Sequence, residues 1–183
     1  MTDRSMERAV AVFGSSDPVE SDPDYAAARR VGELLAHAGY MVITGGYGGV
    51  MEAASRGARE AGGQALGITA RALQPLRAGP NRYLTRHLEA DGLLDRTHEL
   101  IDLSLGYIIL PGKAGTLAEL TALWALHRAR LLENRPIVLL GDSWRSFIDL
   151  VRALGMLDPG QLEITHLADT PDEAVALILQ KIR

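Results

Sequence analysis

Five residues in one short stretch combine the types and the spacing that chemistry on a phosphorylated ligand needs. They are Gly112, Lys113, Gly115, Thr116 and Glu119, within YIILPGKAGTLAEL from Tyr107 to Leu120. An apolar strand-like run breaks into Pro-Gly-Lys-Ala-Gly-Thr, and a helix-like pattern follows. A glycine loop ahead of a helix offers free backbone N–H groups and the positive end of the helix dipole to a phosphate. Thr116 and Glu119, three apart, would share a helical face one turn along from that loop. Thr116-Leu117-Ala118-Glu119 also fits a capping box, in which the carboxylate only returns to a backbone N–H. Arg96, upstream, is a second candidate, although pairing with Glu99 one turn later on an exposed helix face would equally explain it.

Two further apolar runs end in small residues: Gly14-Ser15-Ser16, and Gly45-Gly46-Tyr47-Gly48-Gly49 followed by Met51. Ligands of open α/β sheets sit outside the carboxyl ends of the strands, so three such ends describe a pocket for an anionic, nucleotide-sized ligand. Gly-Gly-Tyr-Gly-Gly taken alone also reads as a tight strand-to-helix turn. A dinucleotide fingerprint would want an acidic residue at the end of the strand after its glycines, and the third strand ends Ile68-Thr69-Ala70-Arg71. A Walker A loop fails as well: Ala114 follows Gly112-Lys113 where Ser or Thr is needed, and Tyr107 stands at the upstream glycine.

These loops need a scaffold, and the chain alternates in a way that supplies one. Strand-like runs at 8–14, 40–46, 64–69, 106–112 and 136–141 alternate with helical patterns, including one from Asp22 to Gly39 and others at 114–131 and 143–154. A weak pair closes the chain, LEITHLA and then TPDEAVALILQKIR. Continuous apolar runs are what strands buried on both faces look like. The expected fold is α/β, a doubly wound, mainly parallel sheet flanked by helices, Rossmann-like, in a single domain over 1–183. The irregular stretch at about 70–91, with Arg77, Arg82 and Arg86, is expected to border the pocket, and a helix at about 92–104 should lead into the fourth strand.

Composition excludes several functions. A net charge of −4 over 183 residues, without a basic cluster, argues against nucleic acid as a partner. The chain has no cysteine, so thiolate metal sites and cysteine nucleophiles are out. His37, His87, His98, His127 and His166 are scattered without paired-ligand spacing, and no metal is expected. No run is long and apolar enough for a membrane span, and MTDRSMER lacks the apolar core of a signal peptide, so the expected location is the cytoplasm.

Gly14-Ser15-Ser16, GGYGGVMEAAS, LLDRT and PGKAGTLAE come in the order and approximate spacing of one family, and over roughly 8–155 the chain resembles the Lonely Guy (LOG) proteins, long labelled lysine decarboxylase-like. The resemblance implies hydrolysis of the N-glycosidic bond of a nucleoside 5′-monophosphate, AMP or a cytokinin nucleotide, to free base and ribose 5-phosphate, without a cofactor. By position it makes Arg96 and Glu119 catalytic and gives the phosphate to Gly112, Gly115 and Thr116, with Gly14 and Ser15 beside them. Gly45, Gly46, Gly49 and Met51 form the other wall. Lys113 departs from the family's second glycine; it is either strained, if that position needs positive φ, or an added charge beside the phosphate. Leu93 and Thr97 replace the Met and Lys that usually accompany the arginine. A decarboxylase would need a Schiff-base lysine, and only Lys113 and Lys181 exist. The alternative is a non-catalytic carrier of a phosphate-bearing ligand such as the molybdenum cofactor. The helix at 118–132, apolar around much of its circumference through Leu120, Leu123, Trp124, Leu126, Ala129 and Leu131, is expected to form a homodimer, as it does in the family.

Overall fold

The computed structural model describes residues 8–76, 79–132 and 134–182. Its strands and helices alternate as β1 (Ala9–Phe13), α1 (Pro23–His37), β2 (Met41–Thr44), α2 (Val50–Glu60), β3 (Ala65–Ala70), a 3-10 helix (Arg71–Leu76), β4 (Arg86–Ala90) and α3 (Leu93–Asp102). There follow β5 (Tyr107–Ile109), α4 (Ala114–Arg128), β6 (Ile137–Leu140), α5 (Ser143–Ala153), α6 (Pro159–Glu163), β7 (Thr165–Ala168) and α7 (Pro171–Lys181). The seven strands form one sheet in the order β4-β3-β2-β1-β5-β6-β7, and every pairing is parallel. The expected α/β doubly wound fold is therefore present. The order reverses between β1 and β5, where a ligand crevice opens in such sheets.

Strand residues alternate between two apolar faces. Ala9, Ala11, Phe13, Tyr107 and Ile109 pack under α3, α4 and α5, through Leu100, Leu120, Leu123 and Trp144. Val10, Val12, Ile108 and Leu110 pack under α1, α2 and α7, through Val31, Leu35, Val50 and Ile178. Each such Leu or Ile contributes about 1.5–3 kcal/mol by leaving water. Helices α1 and α2 touch backbone to backbone: a β-carbon on Gly57 would lie 1.8 Å from the Arg29 carbonyl oxygen.

Two elements depart from the sequence reading. Part of the 70–91 stretch is strand β4, an edge strand whose Arg86, His87, Leu88 and Glu89 are exposed and so lack an apolar pattern. The start of LEITHLA ends helix α6, whose Asp158 N-cap exchanges hydrogen bonds with Gln161, and the strand begins only at Thr165. Arg77 lies outside the described residues. In α4, Leu120, Leu123 and Trp124 are buried in the chain's own core, with Trp124 Nε1 donating to Thr165 Oγ1 at 3.0 Å, while Leu131 beyond it is 76% exposed. Among the described residues no helix is long and apolar enough to cross a membrane.

Candidate active site

The strand ends at Gly14, Gly45 and Pro111-Gly112 belong to the neighbouring strands β1, β2 and β5, so the three glycine loops converge at the switch point. The β1 and β5 loops are tied together by Ser15 N donating to Pro111 O at 3.1 Å. Ser15 O in turn accepts from Val50 N at 2.9 Å, at the first residue of α2. That contact explains Gly49. Its φ is +67, and a β-carbon there would lie 2.4 Å from Ser15 O. Gly49 thus seats one loop on another, and the first N–H of α2 is already engaged.

The start of α4 is different. Lys113 is its N-cap, extended at φ −98, with no side-chain capping bond, so the turn Ala114-Gly115-Thr116 carries the unsatisfied N–H groups of a helix start. A β-carbon on Gly112 would fall 2.1 Å from Thr116 Oγ1, so glycine there lets the threonine hydroxyl fold against the loop. Gly115 has open space around its α-carbon. Lys113 is therefore unstrained. Its ammonium, exposed, pairs with Asp17 at 2.5 Å from the β1 loop.

This helix start removes the capping-box reading. With Lys113 as N-cap, Thr116 is the third helical residue and Glu119 the sixth, too deep to reach the N-cap N–H. Glu119 is instead buried on the face it shares with Thr116. Burial pushes its carboxyl up to about 7, and the positive charge of Arg96 opposes that shift without reversing it.

The surface-pair reading of Arg96 fails in the same way. Arg96 is buried, 7% exposed, and Nε donates to Ile68 O at 2.7 Å. Nη2 approaches Met51 Sδ at 3.7 Å, and the guanidinium carbon lies 5.5 Å from the centre of the Tyr47 ring. A β-carbon on Gly45 would lie 1.5 Å from that same Nη2. Gly45 and Met51, expected to wall the ligand pocket, are thus the floor on which the arginine rests. His98, two residues on, is exposed. Leu93 and Thr97 are joined to each other, Thr97 Oγ1 donating to Leu93 O at 3.0 Å.

Sequence reasoning missed two residues that hold this wall. Tyr47 uses its hydroxyl to accept from Ala70 N at 3.0 Å. Asn81 donates from its backbone to Gly46 O at 2.8 Å and from Nδ2 to Tyr47 O at 3.1 Å. Gly46, at φ +78, turns its carbonyl to meet them. The Gly79-Pro80-Asn81 turn was the only local signal for Asn81, and the aromatic ring among four glycines the only one for Tyr47. Arg82, expected at the pocket border, donates to Tyr83 Oη at 2.8 Å, and Arg86 is exposed on the sheet edge. Among the described residues no group of three or more His, Asp or Glu could hold a metal ion.

Residues 7–154 match the model of the SLOG cluster4 family. The chain is 30% identical over 165 residues to a cytokinin riboside 5′-monophosphate phosphoribohydrolase of Mycobacterium tuberculosis, covering 86% of this chain and 83% of that one. It is 44% identical over 62 residues to an uncharacterized protein of Archaeoglobus fulgidus, a stretch that spans 34% of this chain and 40% of that relative's length. The molybdenum cofactor binding protein of Rippkaea orientalis superimposes with a TM-score of 0.74 at 25% identity, over 97% of this chain and 98% of that one.

Proposed function

The chain belongs to the SLOG cluster4 family, and we propose that it hydrolyses the N-glycosidic bond of a nucleoside 5′-monophosphate to the free base and ribose 5-phosphate. The observation that carries this reading is Glu119: a buried carboxyl held near neutrality by burial, one helical turn past an open helix N-terminus and under the field of Arg96. A protein that only carried a phosphate would gain nothing from that arrangement, since burying a carboxylate is unfavourable.

In this reading the phosphate sits on the N–H groups of Ala114–Thr116, with Gly112 and Ser15 close by and the Lys113 ammonium adding a point charge. The ribose then extends along α4 towards Glu119. As the C1′–N bond breaks, the bonding pair leaves with the base and positive charge builds on the ribose. Ionised Glu119 stabilises that charge and takes a proton from the water whose oxygen bonds to C1′. The base gains its proton from solvent. Arg96 stays protonated throughout and acts as a fixed positive charge rather than an acid. The likeness to the M. tuberculosis phosphoribohydrolase over most of both chains supports the assignment.

The test is to incubate the purified protein with AMP and a panel of other nucleoside monophosphates and to read free base and ribose 5-phosphate by mass spectrometry. Release by the wild type and none by Glu119→Ala is the expected result. A carrier of a phosphate-bearing cofactor is the second reading, favoured by the full-length likeness to the R. orientalis protein. No release from any nucleotide, with ligand affinity unchanged in Glu119→Ala, would establish it instead.

A further inference from the structure

The opposite end of the sheet holds a second concavity, of about 1100 Å³, where the C-terminal ends of α4 and α7 meet the starts of β5, β6 and α6. Helix α4 connects the two ends of the molecule, about 22 Å apart at 1.5 Å per residue. Arg128, Arg130, Arg135 and Lys181 line the concavity, against Asp158 as the acid in the described lining. That is a local excess of positive charge in a chain whose net charge is −4.

Cations at helix C-termini are ordinary, because they complement the dipole and bond the last carbonyls. Arg135 does this: Nη1 donates to Ile101 O at 2.9 Å and to Ser104 O at 2.8 Å. Its other donors, Nη2 and Nε, make no hydrogen bond among the described residues, so one edge of a fixed guanidinium stays open. Arg128 is occupied with Asp158 at 3.1 Å. The side chains of Arg130 and Lys181 form no hydrogen bond or ion pair among the described residues. Nδ1 of His127, in the same lining, is buried and has no hydrogen-bond partner among the described residues.

Arg130 is notable for its backbone too. Helix α4 ends in a Schellman motif, with Arg130 N donating to His127 O at 3.0 Å and Leu131 N to Leu126 O at 2.9 Å. The left-handed position of that motif favours glycine, and here an arginine holds it at φ +57.

We propose that this concavity binds an organic polyphosphate of nucleoside diphosphate type, at a site separate from the glycine loops. Three cations with open donors, Arg130, Arg135 and Lys181, exceed what one monophosphate takes up and match a chain of two or more phosphates. Leu131, Leu132 and Ile182 beside them offer an apolar surface for the body of the ligand. The inference does not depend on the catalytic reading.

The experiment titrates the full chain with ADP and with inorganic pyrophosphate at low salt, by calorimetry and by amide chemical shifts. The expected result is binding with shifts at 127–135, 158–161 and 181–182. In the double variant Arg130→Gly, Lys181→Gln, binding weakens at least tenfold while turnover of the monophosphate substrate, or binding at the glycine loops, is unchanged. Glycine suits the left-handed position, so the variant keeps the helix end. Shifts confined to 14–16 and 112–116, or equal affinity in the double variant, would overturn the proposal. So would tighter binding of single-stranded oligonucleotides that increases with their length, which would make the partner a nucleic acid.

Discussion

Gly45 and Arg96 interlock: the terminal nitrogen of the arginine lies where a β-carbon on residue 45 would have to be, 1.5 Å from that point. The guanidinium is thus held between the backbone of β2's end, the Ile68 carbonyl and the Met51 sulfur. In Gly45→Ala the overlap cannot be relieved by backbone, so Arg96 must leave its place. Turnover of a nucleoside monophosphate should fall about a hundredfold or more, as when a charge-stabilising group is lost. Steady-state kinetics with circular dichroism on the same sample checks it. Wild-type rates in the variant would remove Arg96 from the chemistry.

The ionisation of Glu119 sets two opposite pH dependences. If the carboxylate form is the active one, kcat/KM should rise with pH and level off above about 7, the value to which burial pushes this group. A profile flat from pH 5 to 8 would contradict that role.

Stability should run the other way. The folded state holds a proton on Glu119 that the unfolded chain has already released between pH 4.5 and 7. The penalty is therefore absent below 4.5, grows through that window and is constant above it. Glu119→Gln removes it, so the variant should be inactive and, at pH 8, more stable than wild type by up to about 3 kcal/mol. Urea denaturation at pH 4.5 and pH 8 measures the difference, which should shrink towards zero at the lower pH.

The strands that cross the core were legible because a strand buried on both faces is a continuous apolar run, and Val10 to Phe13 and Ile137 to Leu140 read that way. Strand β4 was not, because its one paired edge leaves Arg86, His87 and Glu89 in solvent. The glycine loops were visible as loops, yet their purposes were not. Gly45 makes room for an arginine 51 residues away, and Gly49 for the Ser15 carbonyl, both tertiary facts without a local pattern. Glu119 looked like a cap because Thr-x-x-Glu is a local signal; the helix starts earlier, at Ala114, since nothing in Lys113-Ala114-Gly115 resists a helical turn. Arg96 and Glu119 stood out together through the family resemblance rather than through spacing.

Two substitutions to glycine, at Lys113 and Arg130, separate sequence pattern from backbone need. Lys113 stands where the family carries glycine, but its φ of −98 is one any residue adopts. Lys113→Gly should leave stability within about 0.5 kcal/mol of wild type, the lost ion pair with Asp17 being exposed. It should instead raise KM for the nucleotide, if the ammonium meets the phosphate. Arg130, at φ +57, belongs to the region glycine favours. Arg130→Gly should stabilise the fold by about 1 kcal/mol and raise Tm by about 2–4 °C. A lower Tm for that variant would mean that the arginine side chain contributes more than its backbone position costs.

Asn81 is the remaining test of how the arginine wall is held. Its backbone N–H and Nδ2 both reach Gly46 O, at 2.8 and 3.2 Å, and Nδ2 also reaches Tyr47 O at 3.1 Å. Asn81→Ala keeps the backbone bond and removes the amide, leaving the Tyr47 carbonyl without that donor. The loss should cost about 1–2 kcal/mol in stability. Because Tyr47 carries its ring against Arg96, the same change should loosen the guanidinium and lower kcat more than it raises KM. Asn81→Asp offers only acceptors to those carbonyls when ionised and should be worse than alanine on both counts. Equal kinetics for wild type and Asn81→Ala, with only stability reduced, would show that Ile68 O and the Gly45 gap position Arg96 without help from the loop.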